Sequence, residues 1–364
     1  MKRRTVRLII EFLRPNSVDR LAIPVLDGPL SPNDALDEFG VAVSSLVEPD
    51  DIAGLPNGDL IVSAGRKLYR VSGPDVEPLA SLPGEVISLA VGPEGAIYVG
   101  IADLGVARIE ANGSHEMILE SVAGQPLGVP TAMTTTRDGR LYVTDGSSVH
   151  RWDQRPADLM SKSTAGRLVE VDLDTGNSSE ILSGLAWPNG VCATEDDGLL
   201  LSESWAHRIS KVDPATRRST NVRSNMAAYP SRICPASNGR YWVAFWALRN
   251  AVVEFVLTED EFREEMMATI PQEYWVGPAM RATTDPWEPM QIGGLKHFNR
   301  VKPWAPARSY GLCARMDTRG VVDLSFHARG GSDRHGTTSA IEIADTLYVV
   351  SRGGSLVLSR QVGR

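Results

Sequence analysis

The chain is patterned in short apolar runs separated by polar turns, and long amphipathic stretches are few. Leu60-Ile61-Val62, Ile97-Tyr98-Val99, Leu141-Tyr142-Val143, Leu199-Leu200-Leu201, Tyr241-Trp242-Val243 and Leu347-Tyr348-Val349 are too short for helices. Most are rich in β-branched and aromatic side chains, so all six read as strands. A polar turn precedes each: Asn57-Gly58, Glu94-Gly95, Asp138-Gly139, Asp197-Gly198, Asn238-Gly239 and Ala344-Asp345. Asn-Gly and Asp-Gly pairs close tight hairpins because glycine tolerates the positive φ that such turns require. A second apolar strand is predicted after each first one, over 67–71, 105–109, 149–152, 208–212, 251–255 and 355–358.

One copy shows the whole unit. Residues 182–212 run loop, strand, turn, strand, loop, strand, with Trp187-Pro188-Asn189-Gly190 leading into Val191-Cys192-Ala193. A unit of about 30 residues recurring along a chain marks a repeat architecture. Six such sheets predict an all-β, six-bladed β-propeller, because radial closure protects the edges that separate sheets would expose. A large β-sandwich or a pair of β domains is the competing architecture.

Three stretches break the rhythm. Residues 1–45 read as an N-terminal arm with a short helix over 6–13, suited to pack across the propeller or to close its last blade; the propeller then occupies 46–364. Residues 256–308 read as a partly helical insertion between blades 5 and 6, helical over 259–270 with Phe262, Met266 and Met267 on one side. Its aromatic continuation, with Tyr274, Trp275, Trp287 and Trp304, suits either a lid over a pocket or a subdomain covering sheet. A smaller insertion at 154–164 interrupts the third blade and is expected over the same face.

Composition narrows the partners. Among 364 residues, 33 Gly and 23 Pro match a turn-rich β fold, and a propeller grows by adding blades, so one domain accommodates this length. A net charge of -8 with no Lys/Arg run argues against nucleic acid. Cys192, Cys234 and Cys313 sit in apolar sequence and read as reduced buried thiols, not as a disulfide framework or metal cluster. The apolar run near Met1 is broken by Arg7 and Glu11, too short for a signal core or a membrane span, so a cytoplasmic protein with no membrane partner is expected. The oligomeric state is not legible. No nucleophile elbow, P-loop, dinucleotide fingerprint or zinc motif is present.

A family resemblance rests on an ordered set of segments: Pro49-Asp50-Asp51-Ile52, Leu141-Tyr142-Val143-Thr144-Asp145, Gly166-Arg167-Leu168, Trp187-Pro188-Asn189-Gly190, Ser202-Glu203-Ser204, Tyr229-Pro230-Ser231-Arg232 and Thr338-Ser339-Ala340-Ile341-Glu342. With these the chain resembles the strictosidine synthase-like family, related to the SMP-30/gluconolactonase and paraoxonase-type propellers. The resemblance implies a small-molecule substrate or ligand in the central channel. It implies the fold more specifically than the reaction.

Two mechanisms follow from the resemblance. The metal-dependent lactonases place a Glu, two Asn and an Asp or Asn around a divalent cation, usually Ca²⁺. The corresponding positions here are Asp50, Thr131, Asn189 and Ser231-Arg232, and a guanidinium repels a cation and offers no lone pair. No cofactor is therefore expected; Ca²⁺ held by Asp50 and Asn189 is the alternative. Arg232 could instead bind an anion, or pair with Asp50 or Asp51 and replace the cation's structural charge. The strictosidine synthase type uses a last-blade glutamate as acid/base in an amine–aldehyde condensation, and Glu342 falls at that position. Glu203 and His335 are further catalytic candidates, and Asp50, Asp51, Thr131, Asn189, His207, Ser231 and Arg232 are expected to line the substrate site. Three functions stay open: metal-independent lyase-type biosynthetic chemistry, lactone or ester hydrolysis, and ligand binding without turnover.

Overall fold

The computed structural model describes residues 23–281, 296–297, 300–301, 309–330 and 332–363. Six four-stranded antiparallel sheets stand around one axis. Their innermost strands are Pro49–Gly54, Val86–Val91, Pro130–Thr135, Pro188–Ala193, Ala228–Ala236 and Thr337–Ile343, and each touches the next all the way round. The fold is the predicted six-bladed propeller. The sandwich alternative fails because the sheets close in a ring instead of stacking in two layers.

The hairpin turns behave as their sequences demand, with one refinement. Gly58, Gly95 and Gly139 carry the positive φ, but in the fourth blade Asp197 adopts it, and in the sixth Ala344 and Asp345 both do. Asn and Asp tolerate this region better than most residues because their short side chains bond locally.

The last blade contains three consecutive strands, Thr337–Ile343, Thr346–Ser351 and Leu356–Gln361, and its outer edge is supplied by Gly40–Val43 from the N-terminal arm. Segments from either end of the propeller thus share one sheet, which closes the ring. The helix expected over 6–13 lies outside the described residues.

In the fifth blade the sequence pattern misleads locally. Residues 251–255, expected as a strand, lie in the helix Ala251–Thr258, capped at its N-terminus by the Asn250 side chain accepting from Val252 N. A second helix, Asp260–Thr269, follows directly. The blade is completed after the insertion by Gly311–Met316 and Val322–Ala328, so the insertion departs between the second and third strands of blade five. Val252-Val253 has strand-like composition, but the asparagine cap, the burial of Val253 and the packing of Val256 with Trp246 and Met266 favour the helix. In the third blade, likewise, 149–152 is not a strand: the third strand is Gly166–Asp172, and the interruption holds the short helix Arg155–Met160.

Apolar clusters fill the spaces between adjacent blades, for example Ile61, Leu68, Leu89 and Val99 between the first and second. Nearer the axis the inner strands carry buried hydroxyls that stitch one blade to the next. Ser88 Oγ donates to Pro130 O (2.5 Å), Thr131 Oγ1 to Pro188 O (2.5 Å), Ser231 Oγ to Thr338 O (2.8 Å) and Thr338 Oγ1 to Asp50 O (2.6 Å). Cys192 and Cys313 are buried, Cys234 is half-buried, and all three are free thiols. Among the described residues no helix is long and apolar enough to cross a membrane.

Candidate functional site

Every inner strand carries a register break near its first residues: between Pro49 and Ile52, Val86 and Ser88, Pro130 and Ala132, Pro188 and Gly190, Pro230 and Ile233, and Thr337 and Ser339. An extra residue there is left unpaired and disrupts the ladder locally. The residues at these breaks are Asp50-Asp51, Ile87, Thr131, Asn189, Ser231-Arg232 and Thr338. Among the positions expected from family resemblance, Asp50, Asp51, Thr131, Asn189, Ser231 and Arg232 are thus brought by bulges to a single end of the channel.

Arg232 gathers the resulting oxygen atoms. Its Nη1 donates to Asp50 O (3.0 Å) and Thr338 O (3.2 Å), and its Nη2 to Asp50 Oδ2 (2.5 Å) and to Ile87 O. Its Nε lies 3.1 Å from Asp51 Oδ2 without hydrogen-bond alignment. Arg352, just beyond the second strand of the last blade, donates from Nη1 to the other oxygen of Asp50 (2.7 Å) and from Nη2 to Glu85 (2.7 Å). Arg232 is 5% exposed and Asp50 1%, so this is a buried ionic cluster, stable only because each charge has a partner.

Burial and pairing split the two adjacent aspartates. Burial works against charge on Asp50, but Arg232 and Arg352 outweigh it and hold the carboxyl below its ordinary range. For Asp51 burial prevails over Arg232, and its carboxyl is raised. Asp51 is turned inward: its oxygens accept from Ile52 N (2.9 Å) and Leu89 N (2.8 Å), and its own N–H donates to Ser63 Oγ (3.0 Å).

Over this cluster lies a cavity of about 550 Å³. Asp50, Asn189, Ser231, Arg232, Thr338 and Arg352 line its floor. Asn189 Nδ2 donates to Ser204 and Ser231 Oγ (both 3.2 Å). The walls are indoles: Trp152 stacks on Trp187 (6.4 Å between centroids), Trp187 on Trp205 (5.3 Å), and Trp246 meets Trp205 edge-on (5.9 Å). The two insertions complete the wall. Helix Arg155–Met160 contributes Arg155, Leu159 and Met160, and the blade-five insertion contributes Trp275 and 277–281. The latter segment seats Met280 against Gly336 and Gly353, where a Cβ at either glycine would collide with its backbone.

The remaining predicted residues lie elsewhere. Thr131 is behind the floor, spent on Pro188 O and Thr144 Oγ1 (2.9 Å). Glu203 accepts from Ala186 N (2.9 Å) and Arg208 Nε (2.6 Å). Blade three repeats that arrangement with Asp145, Val129 N and Arg167, so it reads as a blade-joining device. His335 has both nitrogens engaged, at 2.8 Å from Ser309 Oγ and 3.0 Å from Arg329 O. Because a carbonyl only accepts, its Nε2 carries the proton, and burial lowers its pKa, so it is a neutral imidazole. His207 packs on Tyr229 (4.7 Å) with its pKa brought down to about 3 by burial and by Arg249.

Glu342 is not on the cavity. It lies four residues along its strand from Thr338, about 13 Å toward the opposite end of the channel. There its carboxylate accepts from Trp242 Nε1 (2.7 Å) and Ser237 N (3.3 Å), both in blade five.

Sequence reasoning missed Arg155, Arg352 and the indole wall. Trp187 belongs to the Trp187-Pro188-Asn189-Gly190 motif, Trp275 to the insertion expected as a lid or a covering subdomain, and 154–164 was expected over this face, but nothing in periodicity singles out Arg352.

Comparisons with known proteins follow this geometry. The family described as SMP-30/Gluconolactonase/LRE-like region matches residues 60–276, more than half of the chain. Adipocyte plasma membrane-associated protein of Mus musculus is 29% identical over 248 residues, covering 65% of this chain and 59% of that protein. Strictosidine synthase-like 6 of Arabidopsis thaliana is 28% identical over 214 residues, covering 56% and 58%. The chain thus spans less than two thirds of the length of these relatives. A gluconolactonase from Xanthomonas campestris superposes with a TM-score of 0.59 at 13% identity, covering 88% of this chain and 87% of that one. The calcium-binding protein regucalcin from Agrobacterium tumefaciens gives 0.57 at 14% identity, covering 90% and 96%. At such identities the likeness establishes the fold.

Proposed function

This chain belongs to the SMP-30/gluconolactonase/LRE-like family, and on that premise we propose that its channel-mouth cavity is a small-molecule enzyme site that works without a divalent cation. The observation that carries the reading is the double clamp on Asp50. Both carboxylate oxygens are engaged by guanidinium nitrogens, and Arg232 spans the carbonyls freed by the bulges at Asp50, Ile87 and Thr338. A hard cation needs six or more oxygen ligands, whereas here the carboxylate is spoken for and Asn189 presents its Nδ2 to two hydroxyls. This donor set does not fit Ca²⁺. Among the described residues no three His, Cys, Asp or Glu side chains are grouped to hold a metal.

Arg232 and Arg352 hold the fixed positive charge at the channel mouth, and the indoles hold an apolar substrate against it. Proton transfer falls to carboxylates on the cavity itself, Glu48 and Glu273 at its rim, since Glu342 is directed elsewhere. The likeness to strictosidine synthase-like 6 supports lyase-type chemistry here. A second reading, lactone or ester hydrolysis, is favoured by the guanidinium groups, which suit a developing oxyanion.

Turnover of lactone, aryl ester and amine–aldehyde panels, measured with chelator and with added Ca²⁺, tests the reading. The expected result is product formation indifferent to both. Activity that disappears with chelator and returns with Ca²⁺ would overturn the metal-free site, and saturable ligand binding with no product from any panel would overturn the enzyme.

A further inference from the structure

Arg155 is a cation on the cavity wall with no carboxylate paired to it among the described residues. It stands at the start of the helix Arg155–Met160, on the cavity wall, with its guanidinium 3.7 Å from the centre of the Trp152 ring. The side chain keeps some exposed surface, but its Nη1 is shut from solvent and has no acceptor. Among the described residues Arg155 makes no hydrogen bond and no ion pair. The acids nearest to it are already taken: Asp50 by Arg232 and Arg352, and Glu85 and Glu48 by Arg352. A guanidinium that lines the cavity with no carboxylate paired to it leaves its charge to be answered by an anion entering that cavity.

We propose that the cavity takes a small organic carboxylate, its anionic group on Arg155 and its apolar body against the indoles of Trp205, Trp246 and Trp275. The inference rests on the reading of this cavity as the functional site. Its volume, about 550 Å³, suits a drug-sized molecule. Trp152 packs against the guanidinium, 3.7 Å from its ring centre, and a guanidinium is suited to pair with a planar carboxylate. A dianion is disfavoured, because the lining carries Glu48, Asp50 and Glu273 against Arg155, Arg232, Arg281 and Arg352, and Asp51 and Glu85 stand close behind. Burial and the neighbouring Arg352 depress the Arg155 pKa to about 10, as expected of a guanidinium without a counter-ion of its own.

The test compares 3-phenylpropionate with its neutral isostere 3-phenylpropanamide by titration calorimetry and tryptophan fluorescence on the whole chain. The acid is expected to bind roughly 10- to 100-fold more tightly than the amide, the worth of one charge-assisted hydrogen-bonded pair. Arg155→Met, checked for folding by circular dichroism, should bring the two affinities together, and Arg155→Lys should restore part of the preference. Equal binding of acid and amide by the native chain would overturn the carboxylate inference while leaving the cavity as the ligand site. A preference undiminished in a folded Arg155→Met variant would also overturn it. Binding of neither probe would overturn both.

Discussion

Replacing Arg232 with methionine keeps the aliphatic stem and removes the charge that the channel mouth is organised around. The variant leaves Asp51 with no cation in contact, Asp50 with Arg352 alone, and the carbonyls of Asp50, Ile87 and Thr338 without this donor. Breaking a buried pair by deleting one partner costs about 3–5 kcal/mol. With an unfolding entropy of about 2.1 cal/mol/K per residue, a chain of this length has roughly 0.76 kcal/mol/K, so Tm should fall by about 4–7 °C. The sign of the pH dependence adds a second readout. In the native chain the folded pKa of Asp50 is depressed, so its stabilising contribution is present above the ordinary value of 3.8 and lost as pH falls through the folded value. In the variant, burial without Arg232 raises both carboxyls, the folded state takes up protons, and the deficit in Tm should shrink between pH 8 and pH 5. Asp51→Asn added to Arg232→Met should recover part of the loss by removing the stranded charge. Scanning calorimetry at the two pH values checks all three. A Tm within about 1 °C of the native chain at pH 8, or a deficit that grows on acidification, would refute the argument that Arg232 is the cluster's counter-charge.

Two further outcomes follow from the residues placed away from the cavity. Because His207 has a folded pKa of about 3 against an ordinary 6.5, the unfolded chain binds its proton first, and stability is lost as pH falls through 6.5 toward 3. At pH 5 this costs about 2 kcal/mol, and His207→Phe, which keeps the packing on Tyr229, should remove it; melting curves from pH 7 to 5 would show a shallower decline. Glu342→Gln should retain turnover and probe binding and lose no more than about 1.5 kcal/mol, since its amide oxygen still accepts from Trp242 Nε1. Loss of activity in a variant of native Tm would return the acid/base role to Glu342.

What was legible in the chain is what local rules control. A turn residue that tolerates positive φ followed by a β-branched or aromatic run specifies a hairpin wherever it occurs, and six such units on one chain require a closed ring to bury their edges. The site's floor was legible only through the family resemblance, which pointed to Asp50, Asn189, Ser231 and Arg232; the bulges of the inner strands that bring them together are not written in the repeat pattern. Tertiary structure alone decided the rest. Whether Val252-Val253 continues a blade or turns into a helix depends on Asn250 as a cap and on Trp246 and Met266 as packing partners, none of which a strand propensity contains. Glu342 shares an inner strand with Thr338, but distance along that strand carries it to the far end of the channel and onto Trp242. Arg155, Glu85 and Arg352 come from three different blades, with sequence separations that no pattern links. Glu85 and Arg352 meet because the folded ring brings their blades together, and that Arg155 is left without an ion pair is visible only once the acids around it have been assigned.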